Sequence, residues 1–150
     1  MIDLLVKVLL AYMLGSVSGS MVMGAFRHVD IRQSGSGNAG GTNAFRTQGF
    51  QFALGVVVID IAKGLLSAWL IPQIEMGALG APYSLEIQVL ACGFAAVVGH
   101  CYPVWYGFRG GKGAATAVGA LLFIEPLALS LIHISEPTRP APLSRMPSSA

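Results

Sequence analysis

From Leu4 to Phe26 the sequence reads LLVKVLLAYMLGSVSGSMVMGAF, with Lys7 as its one charge. Crossing the hydrocarbon core of a bilayer takes roughly 20 mainly apolar residues in a helix. Comparable runs follow at 51–72, 86–106 and 114–134. In lipid the backbone must satisfy its own hydrogen bonds, and a helix does so within each segment. These stretches predict an all-α polytopic membrane protein with about four transmembrane helices. Charge supports that solvent: 11% of residues are charged and 54% are hydrophobic, against about 25% charged in soluble domains. The small residues Gly15, Ser18 and Gly19 after Lys7 also fit a cleavable leader, but the run is long enough to cross, and further spans follow it.

Small residues recur at helical spacing in the first span, at Gly15 and Gly19 and along Ser16, Ser20 and Gly24. Such a stripe lets helices approach closely in lipid, although glycine is common in membrane helices generally. Short cytoplasmic loops collect Lys and Arg. Arg27, Arg32 and Arg46 lie in the first connection, and Arg109 and Lys112 in the third; the second, around 73–85, carries Glu75 and no basic residue. Loops one and three are therefore expected in the cytoplasm and the N-terminus outside. A net charge of +2, dispersed as it is, gives no basis for nucleic-acid binding. Cys92 and Cys101, both in an apolar run, read as buried reduced thiols rather than a disulfide framework.

Both basic loops are rich in glycine: GSGNAGGTNAFRTQG begins at Gly35, and YGFRGGKGAAT at Tyr106. Glycine lets backbone amides approach a ligand with no Cβ in the way. Ser36, Asn38, Thr42 and Asn43 add short polar side chains, and Arg46, Arg109 and Lys112 add positive charge. A helix starting near Ala114 aims its first amides at an anion held by Gly110 to Gly113. Two such loops on one membrane face suit phosphate, while the plain alternative is a pair of flexible turns with topogenic charges. Neither loop is a dinucleotide fingerprint, which needs a preceding strand, and GGKGAAT lacks the Ser or Thr that follows the lysine of a P-loop.

Within the second span, Asp60 and Lys63 are three apart and share a helix face. Ionisable groups at membrane depth cost about 2.5 to 3.5 kcal/mol each and face the protein interior; a structural ion pair is the preferred reading over a direct substrate role. His100 stands at the end of the third span. Its readings are a general base or substrate hydrogen-bonding group, or a helix anchor beside Tyr102, Trp105 and Tyr106. Glu125 and Pro126 predict a kink if they lie within the fourth span.

Residues 35–46, GSGNAGGTNAFR, resemble the pattern G-S-G-N-x-G-A-T-N-x-x-R of the bacterial membrane-integral acyl-phosphate:glycerol-3-phosphate acyltransferases. Gly99, His100 and Pro103 followed by FRGGKGAAT, Phe108 to Thr116, are similar to a second signature of that family. An LGS in the first span, VDIR before the first loop, and Asp60 to Gly64 also match, so the resemblance covers roughly residues 10–125. Gly41 stands where the family usually has alanine, and Arg109 where lysine is common.

The resemblance implies a bacterial inner-membrane enzyme with cytoplasmic glycine-rich loops. It implies transfer of an acyl group from acyl phosphate to the 1-hydroxyl of sn-glycerol 3-phosphate, forming lysophosphatidic acid for phospholipid synthesis. The partners are then acyl phosphate, glycerol 3-phosphate and membrane lipid. Phosphate is already a good leaving group, so direct attack by the glycerol hydroxyl needs no covalent intermediate, and Ser36 need not be a nucleophile. Ser36, Arg46, Lys112 and His100 are the expected catalytic set. Gly35, Gly37, Asn38, Gly40, Thr42, Asn43, Arg109, Gly110, Gly111, Gly113 and Thr116 are the expected substrate-binding set. No cofactor is expected, and no His, Cys and carboxylate cluster has metal-ligand spacing. A transporter or channel module for a phosphorylated metabolite is the alternative that uses the same loops, though no internal repeat supports it.

Past about residue 124 the family pattern fades into a proline- and serine-rich tail of a composition that favours disorder. LSLIHISEPTR, Leu129 to Arg139, matches the in-frame translation of a transposase adapter used in sequencing libraries. The expectation is an N-terminal membrane acyltransferase segment over 1–128 and a non-native or disordered tail over 129–150. The family fold has seven spans and a third cytoplasmic motif in its later half, and on that expectation the segment by itself is inactive or unstable.

Overall fold

The computed structural model describes residues 2–75 and 83–135, with side chains to residue 125. The expected tail from residue 136 onward lies outside the described residues. Among the described residues six α-helices carry the architecture: α1 (Ile2–Gly15), α2 (Gly19–Arg27), α3 (Gly41–Gln48), α4 (Phe50–Trp69), α5 (Leu85–Cys101) and α6 (Ala114–Ser135). No strand occurs among the described residues. Three helical stretches, Ile2–Arg27, Phe50–Gln73 and Leu85–Tyr106, are long and apolar enough to cross a membrane. The fourth expected span is α6, whose apolar part with described side chains is Ala114–Glu125. Helix continues past Glu125 through Pro126 to Ser135.

Helix α4 is central: it packs along α6 on one side and touches α1, α2, α3 and α5, while α1 packs along α5. Side chains in the contacts are mostly small. Ala11, Cys92 and Ala95 meet between α1 and α5, and Ala68, Val89 and Ala120 between α4, α5 and α6. Large residues such as Leu5, Leu9, Val58, Phe94 and Leu121 point outward. That inversion is expected where the surroundings are as apolar as the side chains and helices associate by close backbone approach.

The first span is not one helix. Between α1 and α2 the chain opens at Ser16, Val17 and Ser18, Ser18 being extended (φ −84°, ψ 121°). A break at membrane depth strands backbone groups that lipid cannot satisfy, and α4 supplies their partners. Asp60 Oδ1 accepts from the Gly19 amide at 3.1 Å, and Lys63 Nζ donates to the Val17 carbonyl at 2.6 Å. The two side chains pair with each other at 3.0 Å. Thus the Asp60–Lys63 ion pair preferred from the sequence is present, and it also holds the discontinuity open.

At the opposite end of α1, Lys7 Nζ donates to Gln88 Oε1 at 2.8 Å and to the Pro72 carbonyl at 3.0 Å. It lies 3.3 Å from Asp3 Oδ2. These contacts tie the starts of α1 and α5 to the turn after α4. Cys92 is buried, Cys101 half-buried, and both are free thiols.

Candidate active site

The first glycine-rich loop is organised from within by Asn43. Its Oδ1 accepts from the Ser36 amide at 2.9 Å, and its Nδ2 donates to the carbonyls of Ile31 and Ser34 at 2.9 and 3.1 Å. Gly35, at φ +61°, passes directly over Asn43 Oδ1, where any Cβ would collide. The loop sits on Ile31, Ala44, Phe52, Ala53 and Val56, which form its apolar floor.

Before the loop, Asp30 and Arg32 form a fork at 2.8 Å. Arg32 hydrogen bonds hold the Asp30 carboxyl below the usual carboxylate range and raise the guanidinium in turn. Arg32 Nη1 then reaches across to the Tyr106 carbonyl at 3.2 Å. The two glycine-rich loops therefore meet at one end of the molecule, joined by a side chain that sequence reasoning had counted only as a topogenic charge.

The second loop folds back on the C-terminus of α5. Amides of Gly110 and Gly111 donate to the carbonyls of Cys101 and His100, each at 3.2 Å, satisfying acceptors that a helix end leaves free. Gly111 crosses the His100 imidazole so closely that a Cβ there would strike Nε2. Gly113, at φ +78°, then turns the chain into α6, which starts at Ala114.

Between the loops lies a cavity of about 480 Å³. Asn38, Gly40, Gly41, Thr42 and Phe45 line one side, Val57 and Asp60 of α4 and His100 of α5 its depth, and Lys112 to Ala115 the other side. Two helix N-termini converge there, those of α3 at Gly41 and α6 at Ala114, and each presents unpaired amides and the positive end of its dipole. With Lys112 they make a wall suited to an anion, while Phe45 and Val57 give an apolar flank.

Asn38, Gly40, Thr42, His100, Lys112 and Gly113 are the expected site residues brought to this cavity. Asn43 is not free to hold a ligand: it is 1% exposed and its amide is engaged within the loop. Thr116 is also buried, its hydroxyl without a partner. Gly35, Gly37, Ser36, Arg46 and Arg109 are exposed outside the lining, as loop backbone or on its rim, and Gly110 and Gly111 act through the fold-back onto α5. Arg46 follows Thr42 by one helical turn on α3, so the two share a face of that helix, but Arg46 does not line the cavity.

His100 is 4% exposed in the cavity wall; the interfacial position is taken instead by Tyr102 and Trp105, both exposed. The lining residues that sequence reasoning did not select are Gly41, Phe45, Val57, Asp60, Ala114 and Ala115. Of these Asp60 carried a signal as a charge at membrane depth, and Gly41, Ala114 and Ala115 lay within the two glycine-rich motifs, whereas Phe45 and Val57 carried none as lining residues. Among the described residues no group of three or more His, Cys, Asp or Glu could hold a metal.

Fold and site together define an integral membrane protein of the all-helical class, with a polar cavity where two glycine-rich loops meet. The profile of the family described as Glycerol-3-phosphate acyltransferase matches residues 5–135, and the chain belongs to that family. The Glycerol-3-phosphate acyltransferase of Chlorobaculum tepidum is 44% identical over 138 residues, covering 88% of this chain and 59% of its own length. That of Chlorobium luteolum is 43% identical over 136 residues, covering 88% and 58%. The chain thus spans about three fifths of the length of the curated relatives it matches.

Two crystal structures of PlsY, an integral membrane glycerol 3-phosphate acyltransferase, are also similar. The glycerol 3-phosphate form is 34% identical with a TM-score of 0.66, covering 87% of this chain and 62% of that one. The lysophosphatidic acid form is 33% identical with a TM-score of 0.67, covering 87% and 61%.

Proposed function

We propose that the protein carrying this chain transfers an acyl group from acyl phosphate to the 1-hydroxyl of glycerol 3-phosphate, yielding lysophosphatidic acid and inorganic phosphate. One observation carries the reading: both glycine-rich loops, two helix N-termini and Lys112 border a single cavity with an apolar flank. Phosphate is held there by amides and by a cation, and an acyl chain leaves along Phe45 and Val57 toward lipid. The relatives carry the matching activity in their names, and the similar structures hold glycerol 3-phosphate and lysophosphatidic acid.

In this reading the loops supply proximity and charge stabilisation rather than a covalent intermediate. The glycerol oxygen forms a bond to the acyl carbon, and the bond from that carbon to the phosphate oxygen breaks. Lys112 and the amides of α3 and α6 stabilise charge on the departing phosphate, Arg46 closes over the mouth, and Asn38 and Thr42 orient oxygens. Ser36 serves through the loop backbone that Asn43 holds. The loops face the cytoplasm of a bacterial inner membrane, because all five basic residues of the loops gather at the cavity end.

The test is acyl-phosphate-dependent conversion of labelled glycerol 3-phosphate to lysophosphatidic acid in membranes. It is run on the chain itself and on the chain continued by the later two fifths of the Chlorobaculum tepidum relative. Product from either form supports the proposal. Uptake of label without product, or neither from membrane-inserted protein, overturns it.

A further inference from the structure

We infer that Gly41 and Val57 are a matched pair that selects among acyl groups, by setting the width of the cavity beside the carbons next to the carbonyl. The identity of the ligand rests on the acyltransferase reading above; the pairing rests on geometry. Gly41 opens α3, and its backbone is not in the left-handed region. Nothing in its conformation calls for glycine, which is a poorer helix former than alanine, so the absent side chain is what the position uses. A Cβ there would come within 2.7 Å of Val57 Cγ2. Val57 lies within α4, where a β-branched side chain keeps essentially one χ1 rotamer. It therefore cannot turn away from an added methyl and gives way only by displacement.

The direction of that displacement follows from what holds α3. Asn43 and Ala44, in its first turn, are buried; Asn43 is hydrogen bonded into the loop, and Ala44 is packed on Phe52 and Val56. With α3 fixed, the open side left to Val57 is the cavity, which both residues line. Lys112 and two helix N-termini make the anion wall there, and Val57 with Phe45 makes the apolar flank. In an acyl phosphate the phosphate and the chain meet at one carbonyl. A phosphate on the anion wall thus sets the first carbons of the chain against the flank, and the Val57 methyls bound the space for a branch on them. Alanine at position 41 would press those methyls into that space, and removing them would open it.

The test uses two probes: the phosphonate analogue of palmitoyl phosphate, in which a methylene replaces the bridging oxygen, and the same analogue with a methyl branch on the chain carbon beside the carbonyl. Affinities are measured by calorimetry in bicelles, for the chain and for its continued form described above. A methyl group in an apolar pocket is worth about tenfold or more. Relative to the wild type, Val57→Ala should raise the ratio of branched to straight-chain affinity by about tenfold, and Gly41→Ala should lower it by about as much. The double variant should return to within about threefold of the wild type. A general loss of structure weakens both probes and leaves the ratio in place. A ratio unmoved by Val57→Ala, a Gly41→Ala change that Val57→Ala does not reverse, or a wild type that binds neither probe overturns the inference. Should Gly41→Ala fail to insert, Val57→Ala decides alone. If the ratios move as expected but neither form makes lysophosphatidic acid, the acyltransferase reading fails and the selection of acyl groups stands; product formed with unmoved ratios gives the converse.

Discussion

Asn43 engages three backbone groups of its own loop, and that arrangement sets the consequence of losing it. In Asn43→Ala the Ser36 amide loses its partner, and the Ile31 and Ser34 carbonyls each lose one of two donors. Thermal midpoints in detergent should fall by the equivalent of about 1 to 3 kcal/mol, with product formation falling as the loop loosens. Lys112 differs: it is exposed at the cavity rim and makes no side-chain hydrogen bond among the described residues. Lys112→Ala should leave the midpoint unchanged and lower turnover by about 10²-fold or more, read as initial rates in membranes.

Asp30 supplies a pH prediction at the same scale. Arg32 lowers its carboxyl in the folded state, so the pair contributes stability above the unfolded value of about 3.9. That contribution is lost as pH falls through the lower folded value. Exchange of the Arg32 amide, which donates to Asp30 Oδ1, should stay protected from neutrality to about pH 4 and lose protection below it; Asp30→Asn should remove that acid dependence. The sequence marked GSGNAGGTNAFR as a candidate ligand loop, but not that Asn43 turns inward while Asn38 faces the cavity. Two asparagines in one loop have the same chemistry, and only the fold separates them.

At the level of helices, the break between α1 and α2 is the feature the sequence concealed. Gly15, Ser16, Ser18 and Gly19 suit a continuous small-residue stripe as well as they suit an opening. What distinguishes the two is where Asp60 and Lys63 of α4 find partners, and those partners lie more than forty residues away. The four apolar runs were legible because length and hydropathy act locally, and the start of α6 at Ala114 was legible from the glycines before it. Packing between helices shows the same dependence on the distant neighbour. A Cβ at Gly119 of α6 would meet the Ile61 carbonyl of α4, and one at Gly64 would meet the Thr116 carbonyl. Gly119→Val should force α4 and α6 apart at a cost of about 1 to 3 kcal/mol or more, seen as a lowered midpoint in detergent, whereas Val118→Ala, at an exposed position, should leave the midpoint nearly unchanged.

For the molecule as a whole, polarity is distributed by end. Arg27, Arg32, Arg46, Arg109 and Lys112 all lie at the end where the loops meet. At the other end Lys7 is the one basic side chain among the described residues, buried against Asp3 and Gln88 and so withdrawn from solvent. Cytoplasmic retention of Lys and Arg near span ends sets the orientation of such proteins, and this asymmetry is the ground for the proposed cytoplasmic placement of the cavity end. Under the proposed function, that placement would give a water-soluble phosphate substrate access to the cavity from the cytoplasm while the acyl chain stays in the membrane. Alkaline phosphatase, active only outside the cytoplasm, should be inactive when fused after Gly49 and active when fused after Glu75. The reverse pattern would place the loops outside and remove the orientation on which a cytoplasmic phosphate substrate depends.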